Sequence, residues 1–327
     1  MSVQTIDERT ATELVSDATA APSMHNAQPW LFRYATGTGT FTLSADLSRA
    51  MPHEDRDGRG LHVGCGAALL NLRVALAHLG RRSETTLLPD PAAPRVLATV
   101  RVGARTGVDA LGDLYPEIRE RRTSRFPFSE RRIPMALRNT LGEAARLEGA
   151  ELTFLSSPHL NAVLDLIADA EGYNLMDHDR EAERARWTRN SRTDVITDGV
   201  PDYAFGPRRR GGTAPARDFA GLDAVRGRPT ADFEDRPQLA LLSTASDGPA
   251  DWLRAGQALE RLLLVATGHG LTSSFATQAL EWSDLRWLLR DPVSGSGHVQ
   301  MILRLGYGPR GPRTQRRPVR EVLTFAD

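Results

Sequence analysis

The sequence predicts an α+β protein built from two related parts. Strand and helix candidates follow one another without the regular alternation that a doubly wound parallel sheet requires. A helix-then-strand unit also returns 190 residues later: Gly66, Ala68, Leu69, Leu72 and Gly80 are echoed by Gly256, Ala258, Leu259, Leu262 and Gly270, and the strand candidate 96–102 is mirrored by 299–305. Two amphipathic helices can resemble each other by chance; it is the repeated order of helix and strand that favours duplication. Finally, 327 residues with 40% hydrophobic content can bury a sizeable core, as one large domain or two of ordinary size.

Taken in order, 8–20 reads as a helix that ends near Pro22, because the residue before a proline is pushed out of the helical region. Strands are expected at 30–34 and 40–43, around the flexible TGTG turn at 36–39. Residues 63–79 carry apolar side chains at helical spacing and stop at Gly80, and their small residues Gly64, Gly66, Ala67 and Ala68 permit close approach of another helix or a cofactor. Beyond the strand at 96–102, residues 111–121 read as a helix opening the second part. A strand at 151–155, a helix at 160–176 and a strand at 238–243 follow. The stretch 198–234, centred on GPRRRGGTAP, is too long and irregular for a simple connector; it reads either as a lid or arm over a site or as a surface loop. The expected division is 1–110 for the first half and 111–327 for the second.

Composition removes several function classes. Acidic and basic residues balance at 41 each, so no chain-wide positive field draws the protein onto nucleic acid or an anionic membrane. Every basic residue is arginine; without lysine, Schiff-base chemistry, pyridoxal phosphate anchoring and the phosphate-loop ATPase lysine are excluded. Arginine remains a good phosphate clamp, since its planar fork donates two parallel charge-assisted hydrogen bonds. The single cysteine, Cys65, can form neither an internal disulfide nor a multi-thiolate metal site, and reads as a buried small apolar residue. No targeting segment and no 18-residue uncharged apolar run is recognised, so a reducing cytoplasm is expected, with no membrane partner. The histidines form no HxH or HExxH pattern, and His25, His178 and His269 read as structural groups, so no metal site is expected. GCGAALL and GSGHVQ lack the strand-GxGxxG-helix arrangement of a dinucleotide fold.

Four segments could carry chemistry. In APSMHNAQPWLF, at 21–32, Pro22, Ser23 and Asn26 occupy a turn before an aromatic strand; the hydroxyl and amide can read the edge of a planar ring, or Asn26 can cap its own turn. In RRTSRF, at 121–126, Arg121, Arg122 and Thr123 can surround a phosphate, as can Arg310, Arg313, Arg316 and Arg317 near the C-terminus; a solvated basic surface has the same composition. In GLTSSF, at 270–275, Ser273 and Ser274 sit after the second small-residue helix and either cap it or bring donors to a ligand. No pair of carboxylates stands out as a dedicated acid and base, so no catalytic side chain is assigned.

The segments APSxxNxQPW and RRTSRF resemble pieces of the FMN-binding nitroreductase family, and the match over most of the chain resembles its Acg-like, internally duplicated branch from actinobacteria. The resemblance implies an α+β fold with central, mainly antiparallel sheets packed between helices, and a pseudo-twofold architecture in which one chain stands for a fused dimer. It implies FMN held by Pro22, Ser23 and Asn26 of the first half against Arg121, Arg122, Thr123, Ser273, Ser274, Arg313 and Arg317 of the second, with Arg125 free for an ion pair. MSVQTIDERTAT, ahead of the first motif, offers only Arg9, so one flavin site is expected to be complete and the other to lack its clamp. The implied activity is ping-pong hydride transfer from NADH or NADPH through FMN to a nitroaromatic, quinone or similar small-molecule acceptor. The alternatives are an FMN-sequestering protein with little turnover and a cofactor-free stress-response interaction protein. A monomer with an internal pseudo-dimer suffices to build the pocket, and a homodimer stays open.

Overall fold

The computed structural model describes residues 5–107, 109–220, 227–290 and 297–327. Asp7 begins α1 (Glu8–Ala18) by accepting a hydrogen bond from the Thr10 amide at 2.7 Å, which satisfies one of the helix's free donors. The hairpin β1 (Trp30–Ala35) and β2 (Thr40–Ala45) leads to the long α2 (Arg59–His78), then to β3 (Arg81–Leu87) and β4 (Val96–Arg105). The second part contains α3 (Glu117–Glu120), α4 (Met135–Arg146), β5 (Glu151–Phe154), α5 (His159–Met176) and α6 (His178–Arg186). Four short strands follow, β6 (Thr188–Arg189), β7 (Val200–Pro201), β8 (Arg208–Gly211) and β9 (Thr230–Asp232). The chain continues through β10 (Leu239–Thr244), α7 (Pro249–Gly268), β11 (Thr272–Phe275), α8 (Ser283–Leu288), β12 (His298–Gly306) and β13 (Leu323–Ala326).

Two sheets flank the central helices. The first has the order β13-β1-β2-β4-β3 and the second the order β11-β12-β10-β5. Read from its hairpin, the first runs β1-β2-β4-β3 and the second β5-β10-β12-β11, so the two share one strand order with a long helix after the second strand. All these ladders are antiparallel except β1 with β13, which is parallel and sets Phe32 opposite Leu323. The C-terminal strand thus completes the sheet made by the earliest residues. Where the first unit joins β1 to β2 through the four residues 36–39, the second inserts α5, α6 and the 198–234 arm between β5 and β10. Residues 221–226 of that arm lie outside the described residues.

Helices α2 and α7 pack across the middle of the molecule. At their crossing a Cβ on Gly66 would lie 3.0 Å from the Cα of Gly256 and collide with the Leu253 carbonyl; a Cβ on Gly256 would lie 2.8 Å from the Cα of Gly66 and collide with the Val63 carbonyl. The contact is reciprocal, each glycine meeting the carbonyl three residues before the other. Both helices stop at a glycine with positive φ, Gly80 at +66° and Gly270 at +71°, a conformation that costs glycine little. By length and mean hydropathy α2 could cross a membrane, but 83% of its apolar window is buried inside the protein, where it serves as a core helix. Cys65, on α2, is fully buried, and burial pushes its thiol pKa up.

Most expected elements are present within a few residues of their sequence bounds. The helix expected at 111–121 is divided: a single 3-10 turn at Gly112–Leu114 precedes the one-turn α3, because Pro116 has no amide hydrogen to donate. Helices α4 and α6 and the strand β3 have no counterpart in the sequence reading.

Candidate functional site

A cavity of about 450 Å³, large enough for a cofactor-sized ligand, is lined by residues from Ala20 to Arg316. Thirteen arginines and five carboxylates line it, an excess of positive charge that favours an anionic molecule. Of the residues singled out from sequence, Pro22, Ser23, Asn26, Arg121, Arg122, Thr123, Ser274 and Arg313 line this cavity. Ser273 and Arg317 do not. Ser273 is buried within the sheet, its carbonyl accepting from the Ser124 amide at 2.8 Å. Arg317 is drawn away by Asp46, whose Oδ2 is 3.3 Å from its Nη1, and its own amide donates to Gln28 Oε1 at 2.8 Å. A phosphate-clamp role for Arg317 therefore has to give way to this ion pair.

The 22–28 segment is held in an unusual backbone. His25, Asn26 and Gln28 all have positive φ, at +47°, +57° and +56°, so the turn stays open only because side chains fasten it on several sides. Ser23 Oγ accepts from the Gln28 amide at 2.9 Å. Asn26 does not cap its own turn: its Nδ2 donates to Gly199 O at 3.0 Å and Gln315 O at 3.2 Å, tying the motif to the arm and the C-terminal run, while its buried Oδ1 has no partner. Fully buried Gln28 donates to Thr197 O at 2.9 Å, a structural role that the sequence reading missed.

Arg121 leaves the end of α3 in an extended conformation and is buried. It donates from Nη2 to Ala20 O at 3.3 Å, but its buried Nε and Nη1 have no hydrogen-bond acceptor, and neither has Nε of Arg122. Buried donors without acceptors are costly, and here they belong to residues that line a cavity. The run 123–124 is anchored beside them: Thr123 bridges to Ser273, Ser124 Oγ donates to Pro309 O at 2.7 Å, and a Cβ on Gly311 would collide with the Thr123 carbonyl. Arg313 remains exposed at the rim, whereas Arg316 is spent on the carbonyls of Thr19, Ala20 and Ala21. Burial and the neighbouring Arg121 charge lower the Arg316 pKa to about 9.

A second cluster on the cavity wall was not anticipated. Arg217, from the arm, sits between Glu54 and Glu281: its Nη2 is 3.0 Å from Glu54 Oε1, and its Nη1 is 2.5 Å from Glu281 Oε1. His25 Nε2 bonds the other oxygen of Glu54, with its ring edge-on to Phe219 of the arm at 5.3 Å. Arg180 donates from Nη2 to the Glu281 carbonyl at 2.8 Å and lies over Trp282 at 3.9 Å. Burial lowers the His25 pKa and favours the neutral ring. Burial alone would raise Glu54, but His25 and Arg217 outweigh it and hold that carboxyl at about 2. Burial pushes Glu281 up to about 7 against the pull of Arg217, with the Glu54 charge adding to the rise. Nearby, Arg125 donates to Ala204 O at 3.0 Å and stacks 4.7 Å from Phe219, so it holds the arm by a hydrogen bond and a cation–π contact rather than by an ion pair. The one sequence signal for this cluster was His25, inside the first motif; the groups it meets are scattered through the chain. Among the described residues no group of three or more His, Cys, Asp or Glu side chains could hold a metal ion.

No protein-family profile matches the chain. Three Mycobacterium tuberculosis (strain ATCC 25618 / H37Rv) proteins are similar over most of its length. The uncharacterized protein Rv3127 is 31% identical over 314 residues, covering 94% of this chain and 90% of its own. Rv3131, named as a candidate NAD(P)H nitroreductase, is 30% identical over 332 residues, covering 98% and 93%. The protein acg, with the same descriptive name, is 30% identical over 323 residues, covering 94% and 92%. Among solved structures, a BluB-like flavoprotein from Clostridium difficile 630 aligns with a TM-score of 0.43 at 14% identity, covering 68% of this chain and 100% of that one.

Proposed function

Because the chain belongs to the nitroreductase-like family of its mycobacterial relatives, we propose that it is an FMN-dependent oxidoreductase that takes hydride from NADH or NADPH and delivers it to a nitroaromatic, quinone or similar small-molecule acceptor. The observation that carries this reading is the pair of buried guanidinium atoms, Arg121 Nη1 and Arg122 Nε, that have no acceptor in residues lining a cavity also lined by Pro22, Ser23 and Asn26. These donors fit a phosphate, and the unpartnered Asn26 Oδ1 fits a ring N–H. When bound, FMN would supply the centre that accepts and returns hydride. Arg121, Arg122 and Arg313 would hold the phosphate, while Pro22, Ser23 and Asn26 would position the ring and Ser274 would line its other side. The arm residues Val200, Ala204 and Phe219 help to exclude water. No side chain is needed as a general base.

We assign the chain to the Acg-like branch and read it as two fused half-units, 1–110 and 111–327, with β13 exchanged onto the first sheet. The shared strand order and the reciprocal Gly66–Gly256 crossing support this reading. The Arg121–Arg122 run on the cavity lining supports a flavin site built on it. A second reading, FMN sequestration with little turnover, is favoured by Arg217, which pins the arm against both halves at the cavity.

The test is the visible absorbance of the purified protein under anaerobic conditions, with FMN added if required, before and after NADH or NADPH. Bound flavin that bleaches supports the oxidoreductase. Flavin bands that persist favour sequestration, and the absence of any flavin binding rejects both.

A further inference from the structure

Glu260, on α7, is fully buried, and neither of its carboxylate oxygens has a hydrogen-bond partner. Its nearest cation is Arg121, whose Nε stands 3.6 Å from Oε1, close enough for charge attraction but too far for a good hydrogen bond. Arg121 also lines the cavity, and its Nη1 is buried without an acceptor. It therefore stands between an internal carboxylate and the space where an external anion would bind.

The other groups around Glu260 do not neutralise it directly. From α2, the buried amide of Asn71 lies beside it and favours the carboxylate somewhat, though too poorly placed for a good hydrogen bond and without a charge to neutralise it. From the C-terminal run, Arg316 contributes its charge at longer range, with its donors committed to backbone carbonyls. From α3, Glu117 lies two turns farther along α7, against Gly268. On the side of α7 toward the end of α4, Glu148 is occupied by Arg73 at 2.6 Å and Arg261 at 2.7 Å.

We propose that Glu260 takes up a proton when the phosphate of FMN engages Arg121, making Glu260 a positioning residue that releases Arg121 to the cofactor. This rests on the FMN reading given above. The physical reason is competition: a phosphate at Arg121 brings a second anion toward a carboxylate that has only that arginine close by, and like charges at short range favour the protonated form. Burial already raises Glu260 to about 6 against the pull of Arg121, so a modest further push carries it through neutrality.

The sign follows from linkage. A carboxyl whose pKa is higher in the bound than in the free protein makes binding tightest at low pH and progressively weaker as pH rises between the two values, by up to about tenfold per pH unit. The phosphate's own second ionisation, near about pH 6, acts in the opposite direction because the dianion is the better ligand for arginine. The two effects are therefore separable.

The experiment is FMN binding to the full chain, followed by flavin fluorescence from about pH 5.5 to about pH 8, for the wild type and for Glu260→Gln. Calorimetry near neutral pH in two buffers of different ionisation heat counts the protons taken up. The wild type is expected to take up as much as one proton per FMN and to bind more weakly with rising pH. Glu260→Gln is expected to take up none and to keep only the phosphate's opposite trend. Should the variant fold poorly, the infrared difference spectrum of the wild type on FMN addition decides, through the appearance of a protonated buried carboxyl. FMN binding without proton uptake, equal uptake in the variant, or no carboxyl signal overturns the coupling. Failure of the wild type to bind FMN at all overturns the flavin reading beneath it.

Discussion

Gly66 and Gly256 face each other where α2 crosses α7, so closely that a methyl group on Gly256 would lie 2.8 Å from the Cα of Gly66 and strike the Val63 carbonyl. Backbone, not a flexible side chain, stands in the way, and the two helices must separate if either glycine gains a Cβ. Gly256→Ala is expected to destabilise the protein by about 1–3 kcal/mol or more, although alanine is the better helix former. Gly172→Ala, in α5 with open space around the position, is expected to stabilise by up to about 1 kcal/mol. Urea denaturation of the two variants, read by circular dichroism, checks the opposite signs.

Arg217 neutralises two buried carboxylates at once. Arg217→Gln leaves Glu54 and Glu281 without their shared cation, and breaking a buried pair in this way costs about 3–5 kcal/mol. The loss is expected first as release of the arm: thermolysin should cut within 198–234 sooner than in the wild type, while β10 and α7 stay resistant. Unchanged cleavage of the arm would show that Arg217 does not hold it.

Glu54 and Glu281 give stability opposite pH dependences. Glu54 is held at about 2, below its ordinary 4.5, so its contribution is present above about pH 4.5 and lost as pH falls toward 2. Glu281 is raised to about 7, so its contribution is present below 4.5 and declines as pH rises toward 7. Glu54→Gln should flatten the acid limb of a stability–pH profile, and Glu281→Gln the limb from weak acid to neutrality. Denaturation midpoints across that range, with an unchanged acid limb in Glu54→Gln, would count against the assignment.

Under the flavin reading, Arg121→Gln together with Arg313→Gln should weaken FMN retention by about 10- to 100-fold, the loss expected from removing a charge-assisted hydrogen bond. Riboflavin, which lacks the phosphate, should be affected little by the same pair of changes. Equal affinity of the double variant and the wild type for FMN would remove these arginines from the clamp.

The long apolar helices and the hairpin were legible because their periodicity is set by burial, as in α2 and β1. The strand β3 was not: Arg81–Leu87 is a sheet edge whose side chains alternate between exposed and half-buried, so RRSETTL carries little apolar signal. Pro22, Ser23, Asn26 and Arg121–Thr123, which line the cavity, could be singled out because each group sits in one short segment that resembles a family motif. The His25–Glu54–Arg217–Glu281 cluster joins four distant segments, and an isolated Glu or Arg in a polar stretch does not announce that it will be buried. Arg317 illustrates the converse: in a run dense with arginines, composition could not distinguish the guanidinium that meets Asp46 from the one at the cavity rim.

The parallel pairing of β13 with β1 also fixes an order of events during synthesis. Domains tend to fold as their chain emerges, but here Phe32 cannot find Leu323 until almost everything between them has been made. Until then β1 is an open edge carrying Phe32 and Tyr34, a template for pairing with another chain. A ribosome that stalls shortly before residue 323 would release a protein with its central helices and second sheet encoded in full, yet with the first sheet unsealed.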